Sequence, residues 1–195
     1  MDITMTTDEH KSRKARSYKL ILLFAIVSMI MMFAGLTSAF VVSKSRADWL
    51  KDFQLPTAFF ISTIAIIGSS VTFHLAKKAI QKNNQSATTR FLLATLALGI
   101  AFVVLQFVGF GQIVANGYYF TGAASSITTT FLYIVTVVHL LHLAGGLISL
   151  LIIIYNHFKQ KYNSTQTLGI ELGAMYWHFL DLLWVYLFLF LYFFK

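Results

Sequence analysis

The run ITTTFLYIVTVVHLLHLAGGLISLLIIIY, residues 127–155, contains no aspartate, glutamate, lysine or arginine. About 20 consecutive apolar residues carry an α-helix through the hydrocarbon core of a bilayer, so this run predicts a transmembrane helix. Working outward, the same signal recurs at 170–194 on one side and at 91–114, 56–76 and 20–42 on the other. The expected fold class is all-α: a polytopic membrane protein whose bundle of five transmembrane helices occupies residues 20–195, with residues 1–19 as a polar tail ahead of it. The second run opens at Pro56, the only proline, which a helix start tolerates because its missing N–H would be unpaired there anyway.

Composition agrees. Of 195 residues 57% are hydrophobic and 11% charged, which leaves no room for a soluble domain beside five spans. Nineteen Phe, nine Tyr and three Trp suit a lipid-facing surface with interfacial anchors. The absence of cysteine excludes disulfides, thiolate metal sites, iron–sulfur clusters and cysteine nucleophiles. The net charge of +8 does not point to nucleic acid, because the basic residues sit in short connections at helix ends instead of on one folded face. The first run exceeds the 7–15 apolar residues of a signal peptide, which predicts a retained helix.

Those basic residues also predict orientation. Lys11, Arg13, Lys14, Arg16, Lys19, Lys77, Lys78, Lys82, Arg90, Lys159 and Lys161 fall on one side of five alternating spans; Lys44, Arg46, Lys51 and Lys195 fall on the other. The expectation is a cytoplasmic N-terminus and an external C-terminus, in a periplasm or equivalent space.

Ionisable residues inside a span are costly and need partners in the bundle. His139 and His142 share one face of the fourth span, which Gly146 and Ser149 extend. The fifth span carries Glu171, His178 and Asp181, and a stripe of Trp177, Asp181, Trp184 and Phe188. His74, beside Lys77 and Lys78, reads as interfacial. These residues admit a metal or haem site spread over two helices, a proton pathway, or a structural role in which they bond one another, backbone carbonyls and lipid head groups. H-x-x-H is a weak motif, and the structural reading is favoured. Gly169 with Gly173, and Gly145 with Gly146, offer surfaces where helices pack closely.

The run Gly169-Ile-Glu171-Leu-Gly173-Ala-Met-Tyr176-Trp177-His178-Phe-Leu-Asp181-Leu-Leu-Trp184 resembles the hallmark of haem-copper oxidase subunit III, roughly G-x-E-x-x-x-x-Y-W-H-F-x-D-x-x-W. His139-Leu-Leu-His142 followed by Gly145 and Gly146 is similar to the family's H-x-x-H-x-x-x-G, Leu105-Gln106 to its L-Q pair, and Ser28 to Gly35 to its S-E-x-x-F-F-x-G segment. The likeness covers residues 18–195 and is strongest in the last two spans. Five spans resemble the short form of the family, found in quinol oxidases and some bacterial cytochrome c oxidases, which begins at what is the third helix of longer relatives.

The resemblance implies a non-catalytic subunit with no cofactor or metal of its own. Haems and copper would reside in partner subunits, namely catalytic subunit I with subunit II beside it, and the assembly would extend to a respiratory supercomplex with a quinol:cytochrome c oxidoreductase. Phospholipid would be retained in a cleft between helices and proton uptake by the catalytic subunit kept efficient. His139, His142, Glu171, Tyr176, Trp177, His178, Asp181 and Trp184 would then be structural, lipid or subunit contacts. Cytochrome c is the expected donor to the complex; the alternatives are subunit III of a quinol oxidase, or a free-standing transporter or metal enzyme. Two departures bear on protons: Met29 and Gly109 stand where the family usually has glutamates, and neither can carry a proton.

Overall fold

A computed structural model describes residues 7–50, 53–122 and 125–194; residues 1–6, Lys51 and Lys195 lie outside the described residues, as does the side chain of Lys11. Five helices follow one another: α1 (Thr7–Val42), α2 (Thr57–Gln81), α3 (Gln85–Ala115), α4 (Ile127–Phe158) and α5 (Leu168–Phe194). All five are long and apolar enough to cross a membrane, and no strand forms among the described residues.

The helices outrun the apolar runs that predict them. Helix α1 reaches back to Thr7 through the polar stretch, because residues 7–19 hold neither Gly nor Pro and include several lysines and arginines, good helix formers. Helices α2 and α3 absorb most of the basic connection and leave only residues 82–84 between them. Asn83 takes the left-handed conformation (φ 57°) that reverses the chain, and the Asn84 side chain caps α3 by accepting from the Ala87 N–H at 3.0 Å. Helix α4 starts with Ser126 and Thr129 capping each other's backbone N–H.

Cross-helix contacts set the register. Lys19 meets Glu171 and Thr37 meets Tyr186, so α1 and α5 run in the same direction, as the first and fifth of an alternating series must. Ser70 with His178 and Thr63 with Trp184 make α2 antiparallel to α5; Thr72 with Thr95 and Gln106 with Ser62 do the same for α2 and α3. Helix α5 packs on α1, α2 and α4 and reaches α3 through Trp177 at Gly99 and Trp184 at Phe102, so it meets all four other helices. Its Trp177 and Trp184, with Phe59, Phe73 and Phe102 of α2 and α3, are among the largest fully buried side chains. Outward-facing positions such as Ile64, Leu141 and Leu182 are apolar and open, as a lipid-facing surface requires.

Candidate functional site

The motif on α5 works as a clamp on α2. Trp177 donates its indole N–H to Ser69 Oγ at 3.0 Å, and Trp184, two turns further, donates to Thr63 Oγ1 at 3.0 Å. His178 shares a 2.6 Å hydrogen bond between Nδ1 and Ser70 Oγ. Ser69 and Thr63 in turn donate to the Ile66 and Phe59 carbonyls of their own helix, so their lone pairs are free to accept from the indoles. Asp181 lies between the two tryptophans along the chain, 3% exposed, and neither carboxylate oxygen has a hydrogen-bond partner among the described residues.

Tyr176 and His142 join α5 to α4: the Tyr176 hydroxyl donates to the His142 carbonyl at 3.1 Å, while His142 Nδ1 lies 2.8 Å from the Val138 carbonyl. That bond makes Nδ1 the protonated nitrogen, since a carbonyl can only accept. His139 lies elsewhere. It is fully buried among Phe33, Phe102 and Trp184, with ring centroids 6.4, 6.0 and 5.1 Å away and no hydrogen bond to either nitrogen. The two histidines of H-x-x-H share Phe33, whose ring centroid lies 5.8 Å from that of His142, but only His142 has a hydrogen bond, and His178 faces α2. Among the described residues no three of His, Asp and Glu come together as a metal site would need.

Glu171 closes the end of the bundle that carries most of the basic residues. Its carboxylate accepts from Lys19 Nζ at 2.8 Å and Thr167 Oγ1 at 2.7 Å, tying α1 to α5. The glycines divide in their roles. A Cβ at Gly146 would stand 2.9 Å from Leu180 Cδ1, and one at Gly173 would collide with Ile153, so α4 and α5 meet closely at both. Gly169 packs against Tyr162 of the α4–α5 connection, whereas Gly145 meets only Tyr176 Oη at an ordinary 3.6 Å. Gly109 packs directly beneath the Phe59 ring, which fills the space a glutamate would require there. Met29 is buried against the bundle on α1.

Between α1 and the α4–α5 pair lies an open apolar cleft of about 590 Å³, walled by Ile21, Leu22 and Ala25 on one side and Gly145, Ile148 and Gly173 on the other. Through Tyr18, Tyr162 and Gly169 it continues into a polar mouth of about 690 Å³, lined by Lys14, Lys19, Lys161, Thr165 and Gln166. At that mouth burial pushes the Tyr162 phenol pKa upward, so its hydroxyl stays a donor. Reading the sequence missed the acceptors on α2. Thr63 and Ser70, seven residues apart with Ser69 beside the second, are small polar positions two turns apart on α2, the signal that could have located the surface α5 packs on.

Residues 2–195 match the family model of cytochrome c oxidase subunit III. The chain is similar to cytochrome c oxidase subunit 3 of Spodoptera frugiperda, 36% identical over 143 residues, 72% of this chain and 89% of that protein. It is 34% identical over 140 residues to the Drosophila melanogaster protein of that name, covering 72% of this chain and half of that protein's length. A probable cytochrome c oxidase subunit 3 of Nocardia farcinica (strain IFM 10152) is 30% identical over 173 residues, 85% of this chain and 82% of its own.

Proposed function

The chain belongs to the cytochrome c oxidase subunit III family, as a non-catalytic, multi-pass subunit of a haem-copper oxidase complex, and from that premise we propose that it steadies the catalytic subunit by holding phospholipid between α1 and the α4–α5 pair. The family carries no metal centre of its own and associates with other oxidase subunits. The finer reading places haems and copper in subunits I and II, takes cytochrome c as the donor to the complex after the names of the relatives, and sets the chain in a bacterial inner membrane with its N-terminus cytoplasmic. The longer coverage by the Nocardia protein supports the bacterial setting, and the basic residues at the α2–α3 and α4–α5 connections support the orientation.

One observation carries the lipid reading: the cleft is apolar along the spans and basic at its mouth. Acyl chains fit the first part by hydrophobic contact, and a phosphate fits the second by charge and by hydroxyl and amide donors. His139, His142, Trp177, His178 and Trp184 set the packing that holds the cleft's inner wall; Tyr176 and Glu171 border it. With Met29 and Gly109 in place, neither position passes a proton.

Filling the cleft tests the reading. Ala25→Phe with Ser149→Phe should lower the phospholipid that co-purifies with the complex while turnover per haem begins at the normal rate and then decays faster. Unchanged lipid content would refute the cleft as the lipid site, and loss of initial turnover with all subunits present would refute a supporting role.

A further inference from the structure

The lipid-facing surface is uneven in polarity. Every exposed residue of α3 from 91 to 110 is apolar, with Leu93, Ile100, Val104 and Phe107 the largest of them. The face where α2 meets α5 differs: Ser70, Val71, His74, Leu75 and His178 surround an open notch of about 380 Å³. Ser70 lies seven residues from Lys77, about 10 Å along the helix axis toward the membrane interior, so the notch opens sideways at hydrocarbon depth. The rings of His74 and His178 are 6.3 Å apart. His178 uses Nδ1 on Ser70; among the described residues Nε2 has no partner, and His74 has no hydrogen-bond partner at either nitrogen. Such groups are costly against lipid and are satisfied by a neighbouring helix.

The charge around the notch identifies the neighbour's chemistry. Lys77 lies one turn from His74, and the nearby carboxylate of Glu171 is already engaged by Lys19 and Thr167. Asp181, the other carboxylate of α5, is 3% exposed and does not line the notch, whose lining carries two imidazoles and no carboxylate, so an acceptor is wanted there. Resting on the functional reading above, we propose that this notch is the docking surface for a transmembrane helix of another oxidase subunit, which presents a carboxylate to His74 and His178. Docking here leaves the α3 face to lipid and puts the cleft between α1 and α4–α5 on a different side of the bundle from the partner.

Site-specific photo-crosslinking in the intact complex tests this. A benzophenone amino acid at Val71 or Leu75 should crosslink to another oxidase subunit, and the same group at Ile100 or Val104 should yield lipid adducts only. His74→Leu, which removes no bond within the chain, should reduce retention of the subunit on detergent challenge by about threefold to about eighteenfold, the average and the maximum for interhelical polar contacts in lipid. Lipid adducts alone from Val71 and Leu75, or wild-type retention of His74→Leu, would overturn the docking proposal while leaving the family assignment intact. A wild-type chain that co-purified with no oxidase subunit would overturn the functional reading and the docking proposal together.

Discussion

Helix α5 meets its two flanking helices in opposite ways. Against α2 it interlocks through two indole hydrogen bonds, a histidine–serine bond and a file of buried aromatic rings. Against α1 it has an ion pair at one end, one hydroxyl contact at 3.2 Å between Thr37 and Tyr186, and the Phe33 cluster between them, with the cleft opening alongside. In the most apolar stretch of each helix, 44% of α5 is buried but 17% of α1. The bundle is thus a packed α2–α3–α4–α5 body with α1 leaning on it. The packing of the body comes from side-chain fit, while α1 leaves the space that an amphiphile can occupy.

The contrast is broken most severely by Trp184→Ala. This removes a fully buried ring and its bond to Thr63, and should cost about 3–5 kcal/mol. Tyr186→Phe, its counterpart on the α1 side, should cost no more than about 1 kcal/mol. Thermal unfolding of the purified subunit in detergent should separate the two clearly; equal midpoints would mean that the α2–α5 seam is not the tighter one.

Gly109→Glu comes next. Restoring the family's glutamate should destabilise by about 1–3 kcal/mol or more, because the Phe59 ring occupies the space. Phe59→Ala should partly rescue Gly109→Glu in the same unfolding assay, although alone it is itself damaging. Failure of any rescue would show that the glutamate is excluded by something other than Phe59.

Asp181 sharpens the comparison on a smaller scale. Neither Asp181 oxygen is bonded among the described residues, so Asp181→Asn and Asp181→Leu should each lose less than about 1.7 kcal/mol, which the strongest interhelical polar contacts in lipid reach, and Asp181→Asn, which keeps the shape, should be the milder. Oxygen uptake per haem in the first minutes should be normal for Asp181→Asn wherever the subunit is retained. Abolished initial uptake with normal haem, lipid and subunit content would assign Asp181 a part in the oxygen chemistry.

The smallest effect belongs to Lys19→Gln. An exposed ion pair contributes about 0.2–1 kcal/mol and is screened by salt, so the variant should resemble wild type at high ionic strength. At low ionic strength it should exchange labelled phospholipid faster. Equal exchange rates there would remove the Lys19–Glu171 pair as a latch on α1.

Five helices, their order and the importance of the α5 motif are legible in the sequence, since each rests on a local pattern: apolar length, a polar interruption, a spaced set of aromatic and ionisable residues. Helix ends are less so, because Lys-rich segments such as 77–82 extend a helix as readily as they end a span. The partners of Trp177, His178 and Trp184 are hardly legible at all. Ser69, Ser70 and Thr63 pass for ordinary members of an apolar run, and only the packing of α2 on α5 turns them into hydrogen-bond partners. The same holds for Gly109, whose reason is a phenyl ring fifty residues away in sequence. His139 and His142 show the converse: adjacent on one helix face and both against Phe33, they differ in that His139 is enclosed by Phe102 and Trp184 with no hydrogen bond while the His142 ring bonds the Val138 carbonyl.

Because α5 contacts all four of the other helices and is made after them, the order of synthesis imposes a waiting period. The α2–α3 hairpin, joined by three residues and bonded along its length, can form while the ribosome is still working. Ser69, Ser70 and Thr63 meanwhile lie on a surface without its cover. The final helix enters a membrane in which its seat is already built, and its two indoles find hydroxyls whose own protons are turned back onto the α2 backbone. Completion of the bundle is therefore a docking event between preformed parts, governed by diffusion in the plane of the bilayer more than by the folding of any single helix.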